Sequence, residues 1–389
     1  MVQPVRVGLV GLGQRGLQHL SHLSRIDGAR VVALCDPFPE NLEESKIGRF
    51  VEGFTLDGVR TFTRFADLLA AAAHSLGVDA LYFCIPPNRH DGEVIAAVRA
   101  GIHVFVEKPV SLYYDEAVGM EAAIREAGVI STVGFNQRHD HRHEAIHDFL
   151  QGKRLVMATA VANGSLESHS VKHTRTEDLG GPGNRVWAAS AAWSGTTVVE
   201  AGIHQLDTMR YWAGDVSWTR ADYVHRDPGD IEDGGDNPYA YSVTFGFESG
   251  FLFNLLMARL RKTFWGDGYT GLMWDHGHVK IEGDEVAAYY YSGPYPPEDG
   301  PPPRDDLRHV LPLPERRDGT FHINQCFVEA VARGDDSILR NTFPSSLNSL
   351  AAVLAANLSD RLGGRKIQLA EFATSAEFAD FRRKPNQEN

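Results

Sequence analysis

The stretch VRVGLVGLGQRG, residues 5–16, decides the fold. The apolar run Val5–Val10 leads directly into Gly11-x-Gly13-x-x-Gly16, and an amphipathic segment follows at once. A glycine triad alone is a weak signal, but between a strand and a helix each glycine has a task. Gly11 allows the tight turn, Gly13 lets a pyrophosphate approach the backbone, and Gly16 lets the helix pack closely on the strand. The helix N-terminus then offers unpaired N–H groups to the anion.

A dinucleotide fold needs an acidic group for the ribose about 20 residues further on. The second apolar run, Val31–Cys35, ends at Asp36. A carboxylate there accepts from ribose hydroxyls and repels a 2′-phosphate, so NAD is expected in preference to NADP. An ordinary strand–turn–helix whose Asp caps the next turn is the plain alternative.

Further strands are read at Ala80–Ile85, His103–Glu107 and Val129–Gly134, with helical patterns at Phe65–Leu76, Gly92–Ala100 and Tyr114–Ala127. This alternation predicts an α/β, doubly wound parallel sheet, a Rossmann domain over residues 1–134. After Gly134 longer strand patterns appear at 155–163, 216–225, 239–248, 250–261, 270–275, 278–283 and 285–291, with Glu248-Ser-Gly250 as a hairpin turn. Residues 135–389 are therefore read as an α+β domain with a large, mostly antiparallel sheet. The segments 180–194 and 293–318 read as irregular, and helices return at 321–334 and 345–361.

Composition narrows the function. With 389 residues, two domains are the default, and a net charge of −13 argues against nucleic acid or an anionic membrane as partner. No apolar stretch is long enough to span a bilayer and no leader pattern precedes the first strand, so a cytoplasmic location is expected. Cys35, Cys84 and Cys326 lack metal or redox spacing, and the first two lie inside apolar runs.

Ligands of doubly wound folds sit beyond the carboxyl ends of the strands. One such end reads Ile85-Pro86-Pro87-Asn88-Arg89-His90, where two prolines stiffen the turn; as structure alone it would be unremarkable. The next reads Glu107-Lys108-Pro109. A Lys placed there can stabilise a developing alkoxide, although lone lysines usually belong to the solvated surface. Glu200-Ala-Gly-Ile-His204-x-x-Asp207 puts carboxylates within helical reach of an imidazole, the arrangement a general base requires. An exposed His with a routine carboxylate partner is the alternative.

Together these motifs, with Gly134-Phe-Asn136-x-Arg138, resemble the Gfo/Idh/MocA oxidoreductases (glucose–fructose oxidoreductase, inositol dehydrogenase and their relatives). The resemblance implies a Lys108–His204 catalytic pair with Glu200 as a third group. It implies NAD bound by Gly11, Gly13, Gln14, Arg15, Gly16, Asp36, Ile85, Pro86, Pro87, His90, Glu107, Lys108 and Asn136. Substrate would meet Arg138, Trp187, Glu200 and His204. The family commonly carries Asp where this chain has Glu200, which leaves open whether that carboxylate binds substrate or only orients His204. The implied reaction is hydride transfer between nicotinamide and a secondary hydroxyl of a sugar, glycoside or cyclitol. A redox-neutral reaction with transient oxidation is the second reading, and a dinucleotide-binding regulator without turnover the third. The resemblance also implies an open sheet face serving as subunit interface, hence a homodimer or homotetramer.

Two clusters remain. His139, Asp140, His141, His143 and His147 are dense, but alternating histidines on one short stretch cannot converge, and no complete ligand set is legible. No metal is expected. Arg185, Trp187 and Trp193 precede the His204 segment, where Trp suits the C–H face of a sugar or packs beneath the loop.

Overall fold

The computed structural model describes residues 3–165, 188–231, 235–260, 266–297 and 300–385. Its first layer contains β1 (Val5–Val10), α1 (Gln14–Leu23), β2 (Ala29–Cys35), β3 (Arg60–Phe62), α2 (Phe65–Ala71) and β4 (Ala80–Phe83). It continues through α3 (Glu93–Arg99), β5 (His103–Val106), α4 (Tyr114–Ala127) and β6 (Ser131–Val133). The six strands run parallel in the order β3-β2-β1-β4-β5-β6, reversing direction of growth between β1 and β4.

Strand alternation assigns each face its helices. Val5, Val7 and Leu9 of β1, with Tyr82 and Phe105, pack against Leu17, Leu20 and Leu23 of α1. Leu81, Phe83, Val104 and Val106 turn the other way, onto Val94 and Val98 of α3 and Met120 and Ile124 of α4. Both faces are thereby dry, as a parallel sheet requires.

The second layer begins with α5 (His141–Leu150) and β7 (Leu155–Ser165), and resumes with α6 (Ile203–Ala213), β8 (Val216–Val224), β9 (Ala240–Phe247) and β10 (Leu252–Leu260). Then come β11 (Asp267–Trp274), β12 (Gly277–Glu282), β13 (Glu285–Tyr290) and β14 (Arg308–Val310). The chain ends with α7 (Gly319–Arg333), α8 (Phe343–Arg361), β15 (Ile367–Gln368) and short helical turns. Nine strands order as β14-β13-β12-β11-β7-β10-β9-β8-β15, antiparallel except where β7 lies parallel to β10. The expected hairpin is present between β9 and β10, with Gly250 at φ +85°. One face of this sheet is buried beneath α6 and α8; the other is open.

Packing departs from a linear boundary at residue 134. Helix α7, late in the chain, lies on the first sheet: Ile323, Phe327 and Val328 join the α1-side core, and Phe327 meets the rings of Tyr82 and Phe105 edge-on at 5.5 and 5.7 Å. Strands β3 and β14, three residues each, are too short for a periodic signal, and β14 falls inside the segment read as irregular.

Candidate active site

The glycine loop has the geometry a pyrophosphate needs. Gly11 sits at φ +89°, and a Cβ there would lie 2.5 Å from the Cys84 carbonyl oxygen and 3.0 Å from Ile85. A Cβ on Gly16 would fall 1.9 Å from the Gly11 oxygen, so α1 can approach the loop only without a side chain there. At Gly13 the same Cβ would meet nothing within 4 Å. Gly13 caps α1 without a side-chain hydrogen bond, leaving the first N–H groups of the helix, at Gln14 and Arg15, facing open space.

Asp36 follows β2, almost fully buried. Its Oδ2 accepts from Leu12 N at 2.7 Å, and its Oδ1 from Phe38 N at 3.0 Å and Asn41 Nδ2 at 2.9 Å. The carboxylate thus braces the glycine loop. Of about four acceptor positions these bonds leave one, on Oδ2, for a ribose hydroxyl. Its negative charge remains hostile to a 2′-phosphate, and the residues present fit NAD.

Beyond β5, Glu107 is buried and receives Arg15 Nε and His19 Nε2, each at 2.8 Å. Burial opposes its ionised form, yet the Arg15 guanidinium and the His19 hydrogen bond hold its carboxyl well below the usual range. His19 is in turn bonded to Asn324 of α7 at 2.9 Å. His19 and Asn324 were not singled out in the sequence. The legible signal was a histidine placed on the apolar face of α1 among Leu17, Leu20 and Leu23.

Lys108, the next residue, turns into the crevice between the layers. Its Nζ donates to the Glu200 carbonyl at 2.8 Å and to Glu200 Oε1 at 3.0 Å. Glu200 lies in a π-turn, Val198–Gly202, that runs into α6. Gly202 seats this turn on β10: a Cβ there would stand 3.1 Å from Met257 Sδ and 3.2 Å from Leu255. His204 follows, half-buried, with Nδ1 enclosed and lacking a protein partner. Burial and the Lys108 ammonium push its imidazole down to about 3, against the pull of Glu200. The imidazole is therefore neutral near pH 7.

Other expected residues have different work. Arg138 is buried and fixed bidentate to Asp207 at 2.7 and 2.8 Å, with Nη1 on the Arg340 carbonyl at 2.8 Å. It is an internal strut rather than a substrate contact, because its guanidinium is committed. Asp207 accepts from Arg138 and Ser349, so it does not orient His204. His90 is 1% exposed and its Nδ1 is held by Glu93; it anchors the start of α3 rather than facing the crevice. Pro86 accepts from Arg89 N at 2.9 Å, a tight turn beside the glycine loop. Asn136 donates to Thr320 Oγ1 at 2.9 Å, tying the end of β6 to α7. Trp187 and Arg185 lie outside the described residues; Trp193 lies beneath Arg89, 5.4 Å from guanidinium carbon to ring centre.

A family model described as an oxidoreductase family with an NAD-binding Rossmann fold matches residues 5–135. Residues 5–135 belong to the NAD-binding domain of the Gfo/Idh/MocA oxidoreductase family. Among curated relatives, the chain is similar to the myo-inositol 2-dehydrogenase of Thermotoga maritima, 30% identical over 216 residues, 54% of this chain and 55% of that one. The 2,7-anhydro-N-acetylneuraminate hydratase of Escherichia coli is 26% identical over 293 residues, 73% of this chain and 69% of that protein. The chain spans about half the length of the curated dehydrogenases it matches. In fold it is similar to the WlbA dehydrogenase of Bordetella pertussis, solved with NADH and UDP-GlcNAcA, with TM-score 0.71, 20% identity, and 94% and 99% of the two chains covered. The cofactor is NAD, as the family model for residues 5–135 gives, and the Asp36 carboxylate fits it.

Proposed function

We propose that the protein is an NAD-dependent dehydrogenase acting on a secondary hydroxyl of a sugar, glycoside or cyclitol. The observation that carries the reading is the convergence of Lys108, Glu200 and a neutral, underbonded His204 beyond the carboxyl end of β5. NAD bound on the glycine loop supplies a hydride acceptor. The substrate hydroxyl would enter between Lys108 Nζ and the His204 ring. His204 accepts the hydroxyl proton, and the Lys108 ammonium stabilises the alkoxide character that develops as the carbinol hydrogen departs. Glu200 holds Lys108 in place and favours the protonated imidazole by its charge. The resemblance to inositol dehydrogenases supports a cyclitol or sugar as substrate. A screen of sugars, glycosides and cyclitols with NAD tests the reading: net NADH with one of these classes supports it.

The similarity to a hydratase over 73% of the chain favours, as a second reading, a redox-neutral reaction in which transient oxidation is reversed. Product formed with no net NADH would establish it.

A homo-oligomer is proposed from the open sheet face. Leu252, Met157 and Met273 form one cross-strand row, and Leu256, Val161 and Tyr269 another. Leu252, Leu256, Tyr269 and Met273 are all exposed, an apolar surface of the kind that a second copy covers. Light scattering is expected to give a dimer or tetramer for the native chain and a monomer for Leu256→Lys. A monomeric native protein would refute the interface. Among the described residues no helix is long and apolar enough to cross a membrane; a cytoplasmic location is part of the proposal.

A further inference from the structure

Three donor groups, two from α7 and one some 180 positions earlier, meet where the turn Asn136–His139 packs on α7. His139 is 1% exposed; His322 and Cys326 stand one helical turn apart on α7. One donor atom of each lies within 4.8 Å of the other two. His139 Nδ1 is 3.0 Å from His322 Nδ1, and Cys326 Sγ is 3.7 Å from His322 Nε2. The rest of the histidine cluster goes elsewhere: His143 bonds the Gln137 carbonyl at 2.9 Å, and His147 stacks on Tyr211.

Two imidazoles and one sulfur at this spacing match the donor chemistry of tetrahedral zinc, with a fourth position left for water. Arg317 Nε donates to the His139 carbonyl at 3.4 Å, and Arg340 Nη1 donates to the Arg138 carbonyl at 2.5 Å, so two guanidiniums flank the cluster. The two guanidiniums facing the cluster are countered by Glu144, which pairs with Arg317 and with Arg340, the latter at 2.7 Å. A cation binding there would displace the thiol proton of Cys326, since the thiolate is the ligand.

We propose that His139, His322 and Cys326 form a structural site for a thiophilic divalent cation, zinc foremost. The site would clamp the turn carrying Asn136 and Arg138 to the helix carrying Thr320 and Asn324. It would thus fix α7 against the dinucleotide layer without taking part in hydride transfer.

Cobalt(II) is the probe, because its thiolate complexes absorb strongly by sulfur-to-metal charge transfer and its tetrahedral complexes have intense visible bands. Full-length protein freed of metal by chelator is expected to develop both absorptions, saturating at one equivalent per chain, and to lose them on adding zinc. Cys326→Ser is expected to abolish the charge-transfer absorption while its circular dichroism stays native. If that variant is unfolded, His139→Gln, which leaves the thiol in place, is expected to weaken cobalt binding at least tenfold. Absence of the absorption in the folded native protein would overturn the proposal. So would its survival in Cys326→Ser, which would assign the metal to Cys35 or Cys84, or unchanged affinity in His139→Gln.

Discussion

Lys108 and Glu200 act as one unit, since one residue supplies both its carboxylate and its backbone carbonyl oxygen to the same ammonium. Glutamate at this position reaches Lys108 across the crevice; its bonds show a holder of the lysine, and its charge favours the protonated form of His204. Removing the charge while keeping the shape isolates these effects. Glu200→Gln is expected to lower kcat by roughly 10²-fold, the scale of a general acid–base contribution, with NAD affinity nearly unchanged. Steady-state kinetics combined with NAD titration checks this, and an unaltered kcat would remove Glu200 from the chemistry. A residue that sequence spacing could not place is Arg138. Its neighbours in the chain suggest the site, but its partner Asp207 lies on α6, and only the fold shows that the pair satisfies itself.

Elements were legible where periodicity was long. Val5–Val10 and Tyr114–Ala127 have the bounds their patterns predict, and the strands of the second sheet fall within a few residues of theirs. The parts that escaped are those that depend on distant contacts. Helix α7 is amphipathic by its own sequence, but nothing local says that it covers the first sheet. Likewise, the donor set around His139 is invisible because His139 stands some 180 positions before His322 and Cys326. The junction of β1 and α1 was fully legible, because glycine is the residue that so close an approach demands. Gly16→Ala would drive a Cβ into the Gly11 carbonyl, and overpacking against backbone costs about 3 kcal/mol. Urea unfolding is expected to show that loss, accompanied by weaker NAD binding. Full stability in the variant would contradict the close-packing account.

Across the whole molecule, buried neutral histidines set the response to acid. Burial lowers the proton affinity of His19, His22, His139, His143, His204 and His322, His22 and His322 to about 4 and His204 to about 3, from 6.5. Between those values and 6.5 the unfolded chain binds more protons than the folded one, so stability rises with pH through this range. The melting temperature is therefore expected to fall steadily as pH drops from about 7 to about 4. Glu107 acts in the same sense over a more acid range: its depressed carboxyl stabilises the fold above the unfolded value of 4.5, and that contribution is lost progressively as pH falls below it. A melting temperature flat over that range would show that the histidines are not held neutral. The same depression keeps His204 deprotonated at neutral pH, the state that the proposed proton acceptor needs at the start of the reaction.

The central claim is that Lys108 and His204 make the bound NAD a hydride acceptor for a sugar or cyclitol hydroxyl. Parallel assays of NADH absorbance and NAD affinity on the native enzyme and Lys108→Ala, with a substrate found by screening, test it most directly. The account predicts at least a 10³-fold loss of turnover, within the range general acid–base and electrostatic groups supply, with NAD affinity retained. Near-native NADH production by Lys108→Ala would contradict it.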